Sequence, residues 1–338
     1  MNRVVAWFRF SHSPSPRIGE LYDMSQAPEL SVILSTFERP RHLERSLASL
    51  AIQRGIKGRF EVVVADDGSE DETHDIVRRF AQSVDFPVKL STHSHHGFRL
   101  SFCRNEGVRV SRGSYLLFTD SDCIFPPDHL RKHLLGRRPG VVRTGNSYRL
   151  KQWLSERIDH ASILSGEYLN WVPHDLQRRM FRRWLNDRYY EIIRHPTKPK
   201  LDGCDCGIWR CDFEAVNGFD EDFQGWGCED DDLGLRLRGA GIRIATIVRE
   251  TCVCHLWHPL DPTAPVSWRD GQNVGRLAEP RPVRCVNGFF PPDLGPKGVA
   301  RTLPAKCWPK NGNWLPGMPR EARPERHVGR SVLGNRSS

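Results

Sequence analysis

The sequence predicts an α/β fold with a central, mostly parallel sheet that is flanked by helices. Short apolar segments rich in β-favouring residues read as strands, at 29–37, 60–65, 87–91 and 113–120. Segments with apolar residues at helical spacing alternate with them, at 40–54, 73–82 and 100–110. The strands are continuously apolar, which is typical of parallel strands covered on both faces. The alternation of strand and helix therefore indicates a parallel α/β sheet.

The composition is that of a globular protein with an excess of positive charge. The 338 residues carry a net charge of +9, which favours anionic partners such as nucleic acid, anionic lipid or phosphorylated substrates. No segment approaches the roughly 18 apolar residues of a membrane-spanning helix. The first residues are too interrupted by Arg to form the apolar part of a secretory signal. We therefore expect a cytoplasmic protein without a transmembrane segment.

Two further features of the composition have more than one interpretation. The segment RRMFRRW, at 178–184, mixes Arg with aromatic residues. A solvated helix face is its simpler interpretation, and a peripheral contact with a membrane surface is the other. The ten cysteines include two C-x-C pairs, 204/206 and 252/254. Alternate positions on a buried strand explain these pairs more simply than a zinc site, for which C-x₂₋₄-C spacing is usual.

Acidic and polar residues follow three of the predicted strands. In LLFTDSDC the acids are Asp120 and Asp122, and alternation along an extended segment would point both carboxylates to one side. Hard oxygen ligands of this kind suit Mg²⁺ or Mn²⁺, although an acidic turn that caps a helix is the alternative. The polar residues after the other two strands are Thr36, Glu38, Arg39, Asp66 and Asp67. Ligands of open α/β sheets bind at this edge.

Two common phosphate-binding motifs are absent from the sequence. The first strand is not followed by G-x-G-x-x-G, and G-x-x-x-x-G-K-[ST] occurs nowhere. A Rossmann dinucleotide site and a P-loop are therefore disfavoured, and a nucleotide phosphate would need a metal in place of a glycine-rich loop. A nucleotidyltransferase is also disfavoured, because the loop after the first strand lacks Gly and Lys.

The segment GWGCEDDD places four consecutive acids, 229–232, at the start of a predicted helix. The helix dipole favours acids there, but four exceed what capping needs. One of them could act as a general base towards a substrate hydroxyl. Trp226 offers a flat apolar face of the kind on which sugar rings stack. Further on, HLWH spaces His255 and His258 by three residues, so that both could bind one metal if they share a helical turn.

Taken together, these segments resemble family-2 glycosyltransferases of the GT-A fold. The motifs that carry the resemblance are SVILSTFERP, VVVADDGSEDET, GFRLSFCRNEGVRVSRGSYLLFTDSD and GFDEDFQGWGCEDDDLGLRLRGAG. The first three are similar to the nucleotide-sugar half of the family. The last is similar to the acceptor segment of β-1,4-galactosyltransferases and chondroitin-polymerase enzymes. Four motifs in the family's order are more specific than any one of them.

The resemblance implies roles for the matching residues. At the donor, Thr36, Glu38 and Asp67 are expected to bind the uracil and ribose, with Arg39 close to them and Asp120 near the ribose. Arg99, Arg104 and Asn105 are expected at the diphosphate. Asp122 would be the direct ligand of Mn²⁺ or Mg²⁺, together with His255 and His258. Asp230 matches the catalytic base, beside Glu229 and Trp226 at the acceptor.

The implied activity is transfer of a hexose or N-acetylhexosamine from a UDP-sugar to a saccharide or other glycan acceptor. One base and no evident carboxylate nucleophile imply a single displacement with inversion. The chain lacks the membrane helices and the Q-x-x-R-W motif of processive synthases, and no nucleic-acid partner is expected. Two alternatives stay open, an inactive GT-A-like carbohydrate-binding module and a zinc-dependent basic nucleic-acid-binding protein.

On this interpretation the chain has five parts. They are an N-terminal extension (1–28), a nucleotide-sugar-binding half (29–148), a helical insert or lid (149–200), an acceptor-side catalytic segment (201–260) and a Pro- and Arg-rich wrap or tail (261–338).

Overall fold

The structure is a computed structural model that describes residues 4–7, 27–260, 264–265, 270–279 and 281–291. Two sheets and ten α-helices occur in these ranges. The strands are β1 (Val4–Trp7), β2 (Leu30–Thr36), β3 (Phe60–Asp66), β4 (Val88–Thr92), β5 (Tyr115–Asp120), β6 (Cys123–Ile124), β7 (Val141–Thr144), β8 (Ser147–Arg149), β9 (Cys206–Trp209), β10 (Arg243–Thr246) and β11 (Val253–His255). The helices are α1 (Pro40–Ala51), α2 (Thr73–Ser83), α3 (Leu100–Val110), α4 (His129–Gly136), α5 (Gln152–Arg157), α6 (His160–Ser165), α7 (His174–Ile192), α8 (Arg210–Ala215), α9 (Glu229–Gly239) and α10 (Gln272–Ala278).

The large sheet has the strand order β1-β4-β3-β2-β5-β9-β7-β10. Strands β4, β3, β2 and β5 are mutually parallel, β9 is antiparallel to both of its neighbours, and β10 is parallel to β7. Every residue of β2 and β3 is buried, as expected of strands covered on both faces. The predicted α/β fold with a mostly parallel central sheet is confirmed.

Helix α3 lies unusually close to this sheet. A Cβ atom on Gly107 would lie 2.9 Å from an Ile33 methyl and 3.0 Å from the Ala65 methyl, so a larger residue would push the helix away. The apolar core on this side joins β3 and β5 to α8 and α9 through residues such as Phe118 and Phe213. The side chains on the inner face of α3 therefore have little freedom to reach the solvent.

Two further elements lie in the terminal parts of the chain. β1 lies in the N-terminal extension and pairs antiparallel with β4, and α10 lies in the predicted wrap or tail. Residues 8–26 and 292–338 of these parts lie outside the described residues. The helical character predicted for 149–200 is confirmed by α5, α6, a 3-10 helix (Glu167–Trp171) and α7. No helix among the described residues is both long and apolar enough to cross a bilayer.

The second sheet has the order β6-β11-β8. β11 is antiparallel to β6, with His255 opposite Cys123, and parallel to β8. Because only two residues separate β5 from β6, this pairing brings a late part of the chain to the carboxyl end of β5.

Candidate active site

Polar side chains cluster at the carboxyl ends of the parallel strands. β2 ends at Thr36, β3 at Asp66 and β5 at Asp120, so the loops that follow share one edge of the sheet. Three groups of side chains occupy this edge, and each combines carboxylates with cationic or imidazole partners. The edge is therefore the expected place for a polar ligand.

The first group joins Asp122 to two histidines. The two Asp122 carboxylate oxygens lie 3.5 Å from His255 Nε2 and 3.1 Å from His258 Nε2, respectively. Backbone pairing explains the approach, because His255 lies opposite Cys123 and the Leu256 amide donates to the Asp122 carbonyl oxygen at 2.8 Å. The small sheet thus holds the histidines beside the acidic turn.

These three side chains fit a divalent metal. Their ligand atoms all lie within 4.8 Å of one another, and two imidazoles with a carboxylate are a usual donor set for such ions. Burial would raise the pKa of Asp122, but a hydrogen bond from His258 and the charges of His255, His258 and Arg39 lower it below the usual range. Arg39 Nη1 lies 3.2 Å from Asp122 Oδ2, which adds a cation at the same place.

The local geometry of this group differs from the sequence expectation in two ways. Asp120 and Asp122 do not share one face of a strand, because β5 ends at Asp120 and Asp122 lies in the turn that follows. His255 and His258 do not share a helical turn, because His255 ends β11 and the residues after it have no regular structure. Their rings are nevertheless only 5.2 Å apart.

The second group is a buried guanidinium surrounded by three carboxylates. Arg104 on α3 is 1% exposed and lies 3.1 Å from Asp120, 2.9 Å from Asp230 and 3.7 Å from Glu229. Gly203 packs directly against this group. A Cβ atom at this position would lie 2.2 Å from Asp230 Oδ2, so a larger residue would displace the carboxylate. The Asp230 side chain is still 27% exposed, so its carboxylate is accessible from the solvent.

Burial dominates the proton affinities in this group. It raises the pKa of Asp230 to about 8, against the charge of Arg104, while Glu229 and Asp120 add to the shift. Burial also raises the pKa of Asp120 and of Glu229, and Arg104 opposes it in both cases. A carboxylate with a pKa near neutrality is well matched to accepting a proton from a substrate.

Two residues expected at a diphosphate lie in the interior instead. Arg104 directs its guanidinium to Asp120 and Asp230 beneath the edge. Asn105 is fully buried, and its side-chain amide donates to the Phe219 carbonyl oxygen at 2.9 Å. The close packing of α3 on the sheet turns these positions towards the core, and their expected role at the diphosphate stays a prediction.

The third group surrounds Asp67. Its carboxylate lies 3.3 Å from His93 Nε2 and 3.6 Å from His95 Nδ1, and it accepts a hydrogen bond from the Arg99 amide at 3.3 Å. Burial raises the pKa of Asp67, and the amide and the two imidazoles oppose the shift. Phe37 stacks on His95 with ring centroids 4.1 Å apart, which provides a flat surface next to Asp67.

Arg99 belongs to this third group and not to the group at Asp122. Its guanidinium donates to the Ser94 carbonyl oxygen at 3.4 Å and lies 4.7 Å from the centre of the Phe102 ring. Within the described residues it has no contact with Asp122, where the cationic side chain is that of Arg39. The structure thus places Arg99 beside Asp67, and its expected role at the diphosphate stays a prediction.

The remaining residues expected at the donor lie in the loop after β2. Thr36 Oγ1 is buried without a hydrogen-bond partner among the described residues. Glu38 has a φ of 44°, its side chain is exposed, and its amide donates to Ser69 Oγ at 2.9 Å. This bond connects the loop to the turn after β3, where Ser69 also donates to the buried Asp66.

Trp226 is 38% exposed at the tip of the Gly-Trp-Gly turn. Gly225 has a φ of 73°, which favours glycine, and its amide donates to the Phe98 carbonyl oxygen at 2.8 Å. Asn273 Nδ2 on α10 donates to the Gly227 carbonyl oxygen at 2.9 Å. The indole is thus presented by a turn that is held from two sides.

Several polar residues of the structure have only weak signals in the sequence. His93 and His95 belong to the run HSHH after β4, which alone does not indicate a partner. In the core, His133 Nε2 lies 2.8 Å and His129 Nε2 3.2 Å from Asp205 Oδ1. The spacing of these two histidines on α4 is their only signal. All three side chains are fully buried, and they connect α4 to the loop before β9.

The cysteines of the described residues are all free and buried. Among those residues, the groups of side chains close enough to hold a metal contain no cysteine. Cys206 begins β9, and Cys254 lies within β11. Burial raises the pKa of both thiols.

Two protein-family models match the chain. Residues 31–136 match glycosyl transferase family 2, and residues 194–255 match the model described as the N-terminal domain of galactosyltransferase. The first match contains Asp122 and Arg104, and the second contains Asp230 and His255. Both halves of the candidate site therefore lie in segments typical of glycosyltransferases.

Comparison with individual proteins agrees with these matches. The chain is 32% identical over 244 residues to validoxylamine A glucosyltransferase of Streptomyces hygroscopicus subsp. limoneus. The matched segment covers 67% of this chain and 51% of the relative. It is 26% identical over 227 residues to chondroitin synthase of Escherichia coli, covering 63% of this chain and 32% of that protein. The chain thus spans about half, or less, of the length of these relatives.

A solved structure shows the same fold. S. aureus TarS 1–349 in complex with UDP-GlcNAc superposes with a TM-score of 0.51 at 21% identity, covering 74% of this chain and 65% of that one. The fold is that of GT-A glycosyltransferases. By its sequence, the segment 31–136 belongs to glycosyl transferase family 2.

Proposed function

We propose that the chain is an inverting, metal-dependent glycosyltransferase. It moves a hexose or an N-acetylhexosamine from a UDP-sugar to a hydroxyl group of a saccharide or other glycan acceptor. The observation that carries this proposal is the pairing of two sites at one sheet edge. Three side chains whose geometry fits a divalent metal meet at Asp122, and a partly exposed carboxylate with a raised pKa lies at Asp230.

The donor diphosphate would bind at the first of these sites. A Mn²⁺ or Mg²⁺ ion held by Asp122, His255 and His258 would neutralise the leaving diphosphate as a Lewis acid. Arg39, 3.2 Å from Asp122, adds a guanidinium suited to a phosphate oxygen. The UDP-GlcNAc bound to TarS, which has the same fold, supports a uridine donor.

The uridine would bind on the side of β3. Asp67, Thr36 and Glu38 offer hydrogen-bonding groups there, and the stacked rings of Phe37 and His95 offer a flat surface for a base. A planar pyrimidine stacks favourably on such a surface. This placement keeps the nucleoside on one side of the diphosphate and leaves the other side to the sugar and the acceptor.

The acceptor would bind between Trp226 and α9. Asp230 takes the proton of the acceptor hydroxyl as its oxygen attacks the anomeric carbon, and the bond from that carbon to the diphosphate oxygen breaks. Arg104 holds Asp230 Oδ1 at 2.9 Å and fixes the direction of the carboxylate. Glu229, 10% exposed beside it, accepts a hydrogen bond from another acceptor hydroxyl. One displacement inverts the configuration at the anomeric carbon.

The proposal is tested by a panel of UDP-, GDP- and dTDP-sugars assayed for donor hydrolysis with and without Mn²⁺. We expect release of UDP from at least one UDP-sugar, and we expect the release to require the metal. Absence of a metal-dependent signal with every UDP-sugar, or faster turnover of a GDP- or dTDP-sugar, would contradict the proposal.

A further inference from the structure

Helix α7 carries an exposed apolar stripe that shares no residue with the three groups of the candidate site. Phe181, Leu185, Tyr189 and Ile192 are 47%, 47%, 59% and 74% exposed. Their spacings of four, four and three residues put them on one face of the helix. The opposite face is buried through Met180 and Asp187. Large apolar side chains exposed as a continuous stripe mark an interaction surface.

The surroundings of this stripe are basic. Arg178 and Arg182 lie on the same exposed face by helical spacing, and Arg179 lies next to it. None of these three has a carboxylate partner within the part of the chain that the structure describes, whereas Arg183 and Arg188 pair with Asp187 and Glu191 on the helix itself. The stripe therefore combines exposed apolar groups with unneutralised positive charge.

A cavity of about 460 Å³ opens at the start of this stripe. Phe181 and Trp184 form its apolar lining, while Arg178 and Arg249 contribute positive charge. Arg249 also lies 5.9 Å from the centre of the Phe181 ring. The acid in the lining, Glu250, is paired with a cation outside the cavity at 2.6 Å. An anionic headgroup attached to an apolar chain matches both parts of this lining.

We propose that α7 docks on the surface of an anionic lipid bilayer. The stripe enters the interface between headgroups and acyl chains, and Arg178, Arg179 and Arg182 bind the anionic headgroups. A helix with one apolar face and flanking arginines lies in the plane of such an interface. The charge pattern favours this partner over an apolar protein surface, because burying three unpaired guanidinium groups in a protein contact is costly. The proposal does not depend on the reaction assigned to the site.

Sedimentation with vesicles tests the apolar part of this proposal. The full chain is mixed with phosphatidylcholine vesicles that contain, or lack, phosphatidylglycerol. We expect binding to the anionic vesicles, and we expect Phe181→Ser/Leu185→Ser to weaken it on the order of tenfold or more. The matched control is Leu135→Ser/Leu164→Ser, which removes two exposed leucines on other helices and should bind like the wild type.

The charge part is tested with the double variant Arg178→Gln/Arg182→Gln. Two surface charges near an anionic bilayer change the partition by roughly 30-fold, so we expect a loss of that size in the anionic vesicles. Arg54→Gln/Lys57→Gln removes the same charge elsewhere and should have little effect. Turnover in vesicle-free solution should stay at the wild-type level in all four variants, which separates docking from catalysis.

Three results would overturn the proposal. The first is equal vesicle binding by the wild type and the Phe181→Ser/Leu185→Ser variant. The second is binding that does not depend on phosphatidylglycerol. The third is a dimer, seen by analytical ultracentrifugation, that this variant dissociates while neither protein binds vesicles, which would make the stripe a contact between two copies of the chain.

Discussion

Replacing Asp230 with Asn removes the proposed base and keeps its shape. Asp230 Oδ1 accepts a hydrogen bond from Arg104 Nη1 at 2.9 Å, and an amide oxygen can accept the same bond. Asp120 and Glu229 remain to balance the guanidinium charge. The variant should therefore fold like the wild type, so that any effect on turnover reports the loss of the carboxylate.

The size of the effect follows from the role of a general base. Such groups contribute about 100- to 10,000-fold to the rate, or about 3–5 kcal/mol of transition-state stabilisation. We expect turnover of the Asp230→Asn variant to fall by a factor in this range. Binding of the UDP-sugar should be nearly unchanged, because Asp230 is not among the side chains at Asp122. Titration calorimetry measures the binding, and release of UDP in the presence of acceptor measures the turnover.

Asp231→Asn is the matched control for this experiment. Asp231 is the next residue on α9, and its carboxylate accepts from Lys200 Nζ at 2.7 Å, away from Arg104. This variant should retain most of the activity. Turnover of the Asp230→Asn variant above about a tenth of the wild-type value, or an equal loss in both variants, would refute the assignment of Asp230 as the base.

Three other outcomes follow from the buried charges. A pH profile of kcat/KM should rise with pH through the raised pKa of Asp230, about 8, because the base must be deprotonated; a profile that falls over this range would contradict it. Urea unfolding of Arg104→Met should show a loss of about 3–5 kcal/mol, because the buried carboxylates lose their cation; an unchanged free energy of unfolding would show that they are not paired in solution. Asp212 is fully buried without a partner for either carboxylate oxygen among the described residues, and burial raises its pKa to about 7. Since the folded-state pKa of Asp212 lies above its unfolded-state pKa, the contribution of Asp212 to the free energy of unfolding is intact below about pH 4. This contribution is lost as the pH rises through 7. Asp212→Asn should therefore stabilise the fold at pH 8, by up to roughly 4 kcal/mol, and have little effect at pH 4; equal effects at both pH values would contradict the titration.

The central sheet could be predicted because its signals are local. The buried strands β2, β3 and β5 are continuous apolar runs, and the bounds of α3 follow from apolar spacing and flanking polar residues. β1 could not be predicted in this way. It is an edge strand of four residues, and its pairing with β4 is set by a partner far along the chain.

The composition of the site was predictable to the extent that strand ends determine it. Parallel strands bring their carboxyl ends to one edge, which is why Asp67 and Asp120 were expected there. The rotation of α3 is set by packing, so the sequence could not show that Arg104 and Asn105 face the interior. The approach of His255 to Asp122 depends on the small sheet, whose strands have only two or three residues and no pattern of their own.

The central claim is that Asp122, His255 and His258 hold a divalent cation on the diphosphate of the donor. The most direct test is calorimetric titration of UDP into the wild type and into Asp122→Ala/His258→Ala, with and without Mn²⁺. We predict that Mn²⁺ tightens UDP binding to the wild type by at least about tenfold, and that the variant loses this gain. UDP binding that is equally tight without the metal, or a Mn²⁺ effect that persists in the variant, would contradict the claim.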